Sequence, residues 1–455
     1  MNSPRPGTLI AIAIALVSVL VVGGGLAAAL TVAGPLSVSL ALAAIVSFIV
    51  TLASGAAAAT GFVFVGVFKT SDAFRDPNSP IPTGALVFSL LVCALRNRNG
   101  DRYALGWAGA WLPATVVLTF SALFIAGGDA ASTAKLGRVV ILSILPGVFA
   151  AAIFADARQR RLFLRAVAVV GGVIGALLVS RGLTDGLSAV GLTLFSENRI
   201  VLGRALEVGC IAALAASNLT ARRGIRWALV AMAALSGLAT FFSASRGAVL
   251  ALAVGVAVLF AFSLRTRRER WLVPLVAAVV GVVLFLTVPD SDLADRYLSL
   301  VTPGADVTIV QRSLLVSASI GTFVAAPLVG GGLGSFVYAF TPSALPATYA
   351  HNILLELLGE TGLLGSVAVL APLVVIAWMA VRQLLRGPDP ELAGFLALFA
   401  SMFAAAQLSG DLQINRHLFF FAGALWPMVV SPSAVRAGAT AVRRPTLALD
   451  ARRFT

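Results

Sequence analysis

The residues best suited to chemistry lie in Tyr349–Gly365, YAHNILLELLGETGLLG. His351, one of only two histidines in the chain, stands directly before a long apolar helix of bilayer-spanning character. An imidazole in that position titrates near neutral pH and can take a proton from an attacking hydroxyl. Behind it, Glu356 and Glu360 lie one helical turn apart in otherwise lipid-soluble sequence. Ionisable groups at that depth are costly and face a polar cavity or a partner. The plainer alternative for His351 is a histidine that caps or packs at the helix start. Two glutamates so close on one helix face do not make the opposed carboxylate pair of a glycosidase.

Three arginines add to this set. Arg246 lies in FFSASRGAVLAL, Arg312 in VTIVQRSLL, and Arg416 in SGDLQINRH, near Asp411 and beside His417. Each stands at an expected membrane–water boundary, where an arginine can also snorkel with no further role. Together they point to phosphate, because a planar guanidinium grips phosphate oxygens with two parallel hydrogen bonds and stays charged. A lipid-diphosphate glycan carrier presents such a charge at a membrane face. If the diphosphate leaves as the glycosidic bond breaks, fixed cations stabilise the charge that develops.

The elements that must position these groups are apolar helices. The chain has 455 residues, of which 59% are hydrophobic and 11% charged, against roughly 25% charged in soluble domains. Repeated apolar runs of bilayer length make it an all-α, polytopic transmembrane bundle. The net charge of +14 does not indicate nucleic acid. Most arginines fall in short polar breaks such as Arg96–Arg102, Arg158–Arg165, Arg222–Arg226 and Arg265–Arg270. These breaks alternate with arginine-poor ones, as expected of cytoplasmic loops that also meet anionic lipid.

Taken in order, the first run, Thr8–Leu30, is too long for a secretory signal and reads as an uncleaved span. Leu36–Phe68 reads as two short spans, or one span with a re-entrant piece. Further spans follow through Trp271–Val288, then Ile353–Val381, Leu392–Leu408 and Leu418–Val430. That gives about 12–14 spans. The divisions are 1–199 for the N-terminal helices, 200–288 for the central helices carrying SASRG, and 289–350 for an extracytoplasmic loop. The C-terminal helices occupy 351–432, and a basic cytoplasmic tail 433–455. Within the loop, Val310–Ala326 has helical spacing and ends at Pro327, before the turn at Gly330, Gly331, Gly332 and Gly334. A long ordered loop delivering the chain to His351 suggests a lid over a membrane-facing site.

Other motifs carry less. Asp290, Asp292 and Asp295 have the spacing of a metal and nucleotide-sugar site, but lie on the side where nucleotide sugars are not supplied, and read as helix-start acids. GGGLGS lacks the Lys-Ser/Thr of a phosphate-binding loop. Gly359, Gly362 and Gly365 suit close helix contact. Cys93 and Cys210 are far apart in apolar runs and read as small buried hydrophobes; with two histidines they leave little for zinc.

The chain resembles the O-antigen ligase and O-antigen polymerase superfamily of bacterial membrane glycosyltransferases. The resemblance rests on SASRG, on QRSLL through APLVGGGLGSF, on HNILLELLGETGLLG and on GDLQINR, in that order, and covers roughly the C-terminal half. It implies that Arg246 and Arg312 hold the donor diphosphate and that His351 is the catalytic base. Glu360 would be a supporting acid that orients an arginine or its own helix, with Asp411 and Arg416 a supporting polar pair. It also implies an inverting reaction without metal or cofactor. The partners would be an undecaprenyl-diphosphate-linked glycan donor, a sugar or lipid-anchored acceptor, and membrane lipids. The site would face the exterior of the bacterial cytoplasmic membrane. The tryptophan often found after the loop arginine is missing, with Leu314–Ser317 in its place. A polymerase that joins lipid-linked repeats is the close alternative. A lipid-glycan transporter is the remoter one, since the charges gather at one face rather than midway along several spans.

Overall fold

The computed structural model describes residues 52, 54–69, 81–185, 199–263, 307–336, 350–412 and 414–431. The expected spans Thr8–Leu30 and Trp271–Val288, the aspartates of PDSDLADRY and the basic tail lie outside these residues. So does the first part of Leu36–Phe68, whose second part is a single helix, α1 (Gly55–Lys69). Then come α2 (Ile81–Arg96), α3 (Asp101–Phe120), α4 (Ala130–Val139), α5 (Leu145–Ile153), α6 (Ala157–Asp185), α7 (Arg199–Asn218) and α8 (Arg223–Phe242). The C-terminal part holds α9 (Arg246–Ser263), α10 (Val307–Ala325), α11 (Ile353–Arg386), α12 (Pro390–Leu408) and α13 (Arg416–Val430). The protein is an all-α polytopic bundle, with no strand among the described residues. Eight helical stretches there are long and apolar enough to cross a membrane, and α1, α2, α10 and α13 supply shorter apolar helices.

Two of the spans contain a wide π-turn. α3 runs on through Ser121–Ile125, and α4 joins α5 through Val140–Ile144. A π-turn skips one hydrogen-bonding register and turns a side chain out of line with its helix, a feature common at functional sites. Both turns bury a serine, Ser121 in the first and Ser143 in the second.

The bundle has two chemically different ends. At one, Arg160 pairs with Glu391 at the start of α12 and donates to the Phe154 carbonyl at 2.6 Å. Gln159 Oε1 accepts from the Ala56 amide at 2.9 Å, and Asn97 Nδ2 donates to the Ala152 carbonyl at 2.7 Å. The turns holding Asn97 and Arg160 thus meet the start of α12 at a common end. The opposite end gathers the starts of α7, α9, α11 and α13 with the ends of α3 and α12.

α7 is the central post, packed against α6, α8, α9 and α12. Small residues let it come close: a Cβ on Gly209 would lie 2.8 Å from the Gly171 Cα of α6. Such backbone approach gains dispersion contacts where lipid removes the hydrophobic drive for helices to associate. Phe154, Phe163, Phe395 and Phe420 fill the interior near the basic end, with ring centroids 5.1–6.1 Å apart. Outward, α3 exposes Leu105, Leu112, Val116 and Phe124, an apolar face suited to acyl chains.

Candidate functional site

α11 is not one continuous helix. Gly362 takes φ 62° and ψ −161°, which breaks it after a short first piece that begins at Ile353. A break leaves carbonyls unpaired on one side and amides unpaired on the other, and in lipid neither can turn to water. The loop after α10 satisfies both. Gly331 N and Gly332 N donate to the carbonyls of Gly359 and Glu360 at 2.9 and 2.8 Å. In return, Leu363 N and Leu364 N donate to the carbonyls of Pro327 and Leu328 at 2.9 and 3.1 Å. A Cβ on Gly362 would sit 2.4 Å from the Leu328 carbonyl carbon, and one on Gly330 2.5 Å from Thr361 N. The glycines of the loop and of the helix are therefore two halves of one joint. The loop glycines read from sequence as a turn are docked backbone.

Beside the joint lies a buried ion cluster. Lys135 Nζ on α4 contacts Glu356 Oε1 at 2.5 Å and Glu360 Oε2 and Oε1 at 2.7 and 2.8 Å. Glu356 Oε2 accepts from the Leu412 amide at 3.1 Å. Glu360, expected to orient an arginine or its own helix, is paired with a lysine. The two π-turn serines join in. Ser121 Oγ accepts from Leu333 N at 3.0 Å and reaches the Glu360 carbonyl at 3.4 Å, while Ser143 Oγ donates to the Leu412 carbonyl at 3.1 Å.

His351 stands at the mouth of α11, half-buried, with φ 56°. A non-glycine residue held there is strained, and such strain survives only where its surroundings fix it. Asn352 supplies the fixing: its Oδ1 caps the amides of Leu354 and Leu355, both at 3.0 Å, and its Nδ2 donates to the Gln407 carbonyl at 3.0 Å. Burial, and then the positive charge of Arg312 on α10, push the His351 pKa below its ordinary value. Both favour the neutral ring, the form that can accept a proton.

The SASRG turn reaches the same end from another direction. Ser243, Ala244 and Ser245 are buried, and Ala244 takes φ 54°. The turn rests on α7, where a Cβ on Gly203 would meet Ser245 Cβ at 2.9 Å and Ser243 Oγ at 3.0 Å. Arg246 then opens α9, and the adjoining Gly247 faces Leu408 at the end of α12. Since Gln407 holds Asn352, the arginine turn and the histidine turn share one support. Arg204, the neighbour of Gly203, ties the same corner: its Nη2 donates to the carbonyls of Ala405 at 2.9 Å and Ser409 at 2.6 Å.

Asp411 and Arg416 are near in sequence but do different things. Asp411 Oδ1 accepts from the Ile414 amide at 2.7 Å, and Asn415 Nδ2 donates to the Asp411 carbonyl at 2.9 Å, so the aspartate shapes the turn. The Arg416 guanidinium lies 5.4 Å from the Phe62 ring centre. The expected polar pair is thus a turn former followed by a cation over an aromatic face.

Lys135, Ser121, Ser143, Asn352 and Arg204 are the site residues that motif reasoning missed. One signal was present for Lys135: it is one of two lysines in a chain that otherwise takes its positive charge from arginine. Among the described residues, no group of three or more histidine, cysteine or acidic side chains is placed to hold a metal ion.

A family model described as O-antigen ligase matches residues 230–370. The match takes in SASRG, the loop helix, the glycine joint and His351, and stops short of the 410–416 turn. A search among curated proteins gives no match.

Proposed function

For a member of the O-antigen ligase and polymerase superfamily, as the family model matching residues 230–370 supports, we propose a specific reaction. The protein transfers a glycan from undecaprenyl diphosphate to an acceptor hydroxyl at the outer face of the bacterial cytoplasmic membrane. His351 takes the acceptor proton as the hydroxyl oxygen attacks the anomeric carbon. The bond from that carbon to the phosphate oxygen breaks from the opposite side, which inverts the centre. Undecaprenyl diphosphate leaves, and its growing charge falls on Arg246 and Arg312.

The observation that carries this reading is the position of Arg312, whose positive charge acts on a half-buried His351, at the end where the SASRG turn also docks. A cation at that position keeps the ring neutral and ready to accept a proton before transfer, and the anionic leaving group beside it offsets the charge the ring then takes on. In reconstituted liposomes with a lipid-linked donor, His351→Ala is expected to bind donor and to lose transfer by about a hundredfold or more. Transfer at wild-type rate would remove His351 from the reaction.

The superfamily also includes polymerases, which would use the same base and clamp with a second lipid-linked repeat as acceptor. Deleting the gene separates the two. Surface glycan freed from its anchor supports ligation, whereas single anchored repeats assign polymerisation.

A further inference from the structure

Lys135 lies between the two π-turns, on a helix outside the residues that the family model matches. We propose that it is a positioning residue for the transfer site: one ammonium that, through Glu356 and Glu360, fixes the loop and the last turn to the helix led by His351. It thereby sets where Arg312 and Arg416 stand relative to the imidazole. The kinetic part of this proposal rests on the reaction proposed above, and the structural part does not.

Each carboxylate carries a different connection. Glu356 spends one oxygen on Lys135 and the other on the Leu412 amide, so it links α4 to the turn that leads into Arg416. Glu360 gives both oxygens to Lys135, while its carbonyl accepts from Gly332 in the loop that follows α10. The serines repeat the pattern, since Ser143 holds the Leu412 carbonyl and Ser121 holds Leu333 N. The span pair α3–α4 is thus the support to which both turn segments of the site are tied.

The residue type fits the task. Glu356 and Glu360 are entirely or almost entirely buried, and Lys135 is 6% exposed. Two carboxylates one turn apart need a compact charge between them, and an ammonium offers donors in three directions where a guanidinium offers a flat fork. Without the lysine, both acids would be left uncompensated in lipid, so they would neutralise or move. Either change releases the Leu412 amide or alters the joint at Gly362.

The test is Lys135→Met in nanodiscs, followed by hydrogen exchange and donor kinetics. Exchange is expected to quicken by about tenfold in segments 327–334, 359–364 and 411–416, with α7 and α8 unchanged as internal reference. Per folded molecule, the donor KM should rise by about tenfold, because the diphosphate clamp is displaced from the base. Unchanged exchange in the three segments overturns the proposal, as does faster exchange spread evenly over the bundle, α7 and α8 included, which would assign Lys135 to packing alone. If Lys135→Met does not accumulate, Lys135→Arg is measured instead. Faster exchange in the same segments with a raised KM supports the tether, and wild-type values in both overturn it. A wild-type protein with no transfer activity rejects the proposed reaction, and exchange then decides the tether by itself.

Discussion

Asn352 Nδ2 donates to the Gln407 carbonyl at 3.0 Å, which fastens the residue after His351 to the last turn of α12. Through that bond the strained histidine turn and the end of the helix that supports SASRG move as one. Asn352 therefore has two tasks, capping α11 and holding His351 at positive φ.

Replacing Asn352 with Ala tests both. The lost cap costs about 1 kcal/mol and the lost bond to Gln407 about 1 kcal/mol more, read as a lower melting temperature in detergent. Transfer should fall by at least about tenfold with donor binding kept, since the base and not the clamp is displaced. Transfer at wild-type rate in this variant would show that His351 holds its place without the cap.

The pH dependence follows from the direction of the His351 shift. Burial and Arg312 lower its pKa from the ordinary 6.5, so the ring is neutral at pH 7 and the acid limb of transfer lies below 6.5. Between the folded pKa and 6.5 the unfolded chain binds more protons than the folded one. Stability therefore rises with pH across that window and is complete above it. Arg312→Gln removes one of the two causes, so the acid limb of kcat/KM should move up toward 6.5. An unmoved limb would separate the two groups.

Much of this was legible in the sequence, for physical reasons. Apolar runs and alternating basic breaks report the bilayer directly, and the turn holding Arg160 meets the start of α12 at Glu391, at one end of the bundle. His351 stood out in the sequence because the chain has only two histidines, and Arg312 because it falls in an arginine-poor break. Lys135 was not, since it sits at the edge of an apolar run where any lysine can snorkel, and its partners are more than two hundred residues away. The joint at Gly362 was half legible. Glycine spacing announced close contact, but a helix–helix contact looks the same in sequence as a loop paired to a broken helix.

That joint makes a prediction of its own. Gly362→Ala places a Cβ 2.4 Å from the Leu328 carbonyl carbon, on a residue at φ 62°. Backbone atoms on both sides cannot yield, so the loss should be about 3 kcal/mol or more, and little folded protein should be recovered. Gly321→Ala on α10 is the control. Nothing lies within 4 Å of its added Cβ, so stability should hold or rise by up to about 1 kcal/mol. Equal yields of the two variants in fluorescence size-exclusion chromatography would show that the loop does not need its contact with the break.

Arg312→Lys divides the two roles given to this arginine. A lysine keeps the positive charge beside His351, so the acid limb should stay close to that of the wild type, unlike in Arg312→Gln. It cannot supply two parallel hydrogen bonds to one phosphate, so turnover should still fall by about tenfold or more. The pH profile and the rate thus respond separately to charge and to geometry. A lysine variant with both wild-type rate and wild-type profile would reduce Arg312 to a point charge. A lysine variant with a shifted limb would mean that the ammonium, on its flexible stem, no longer faces the imidazole.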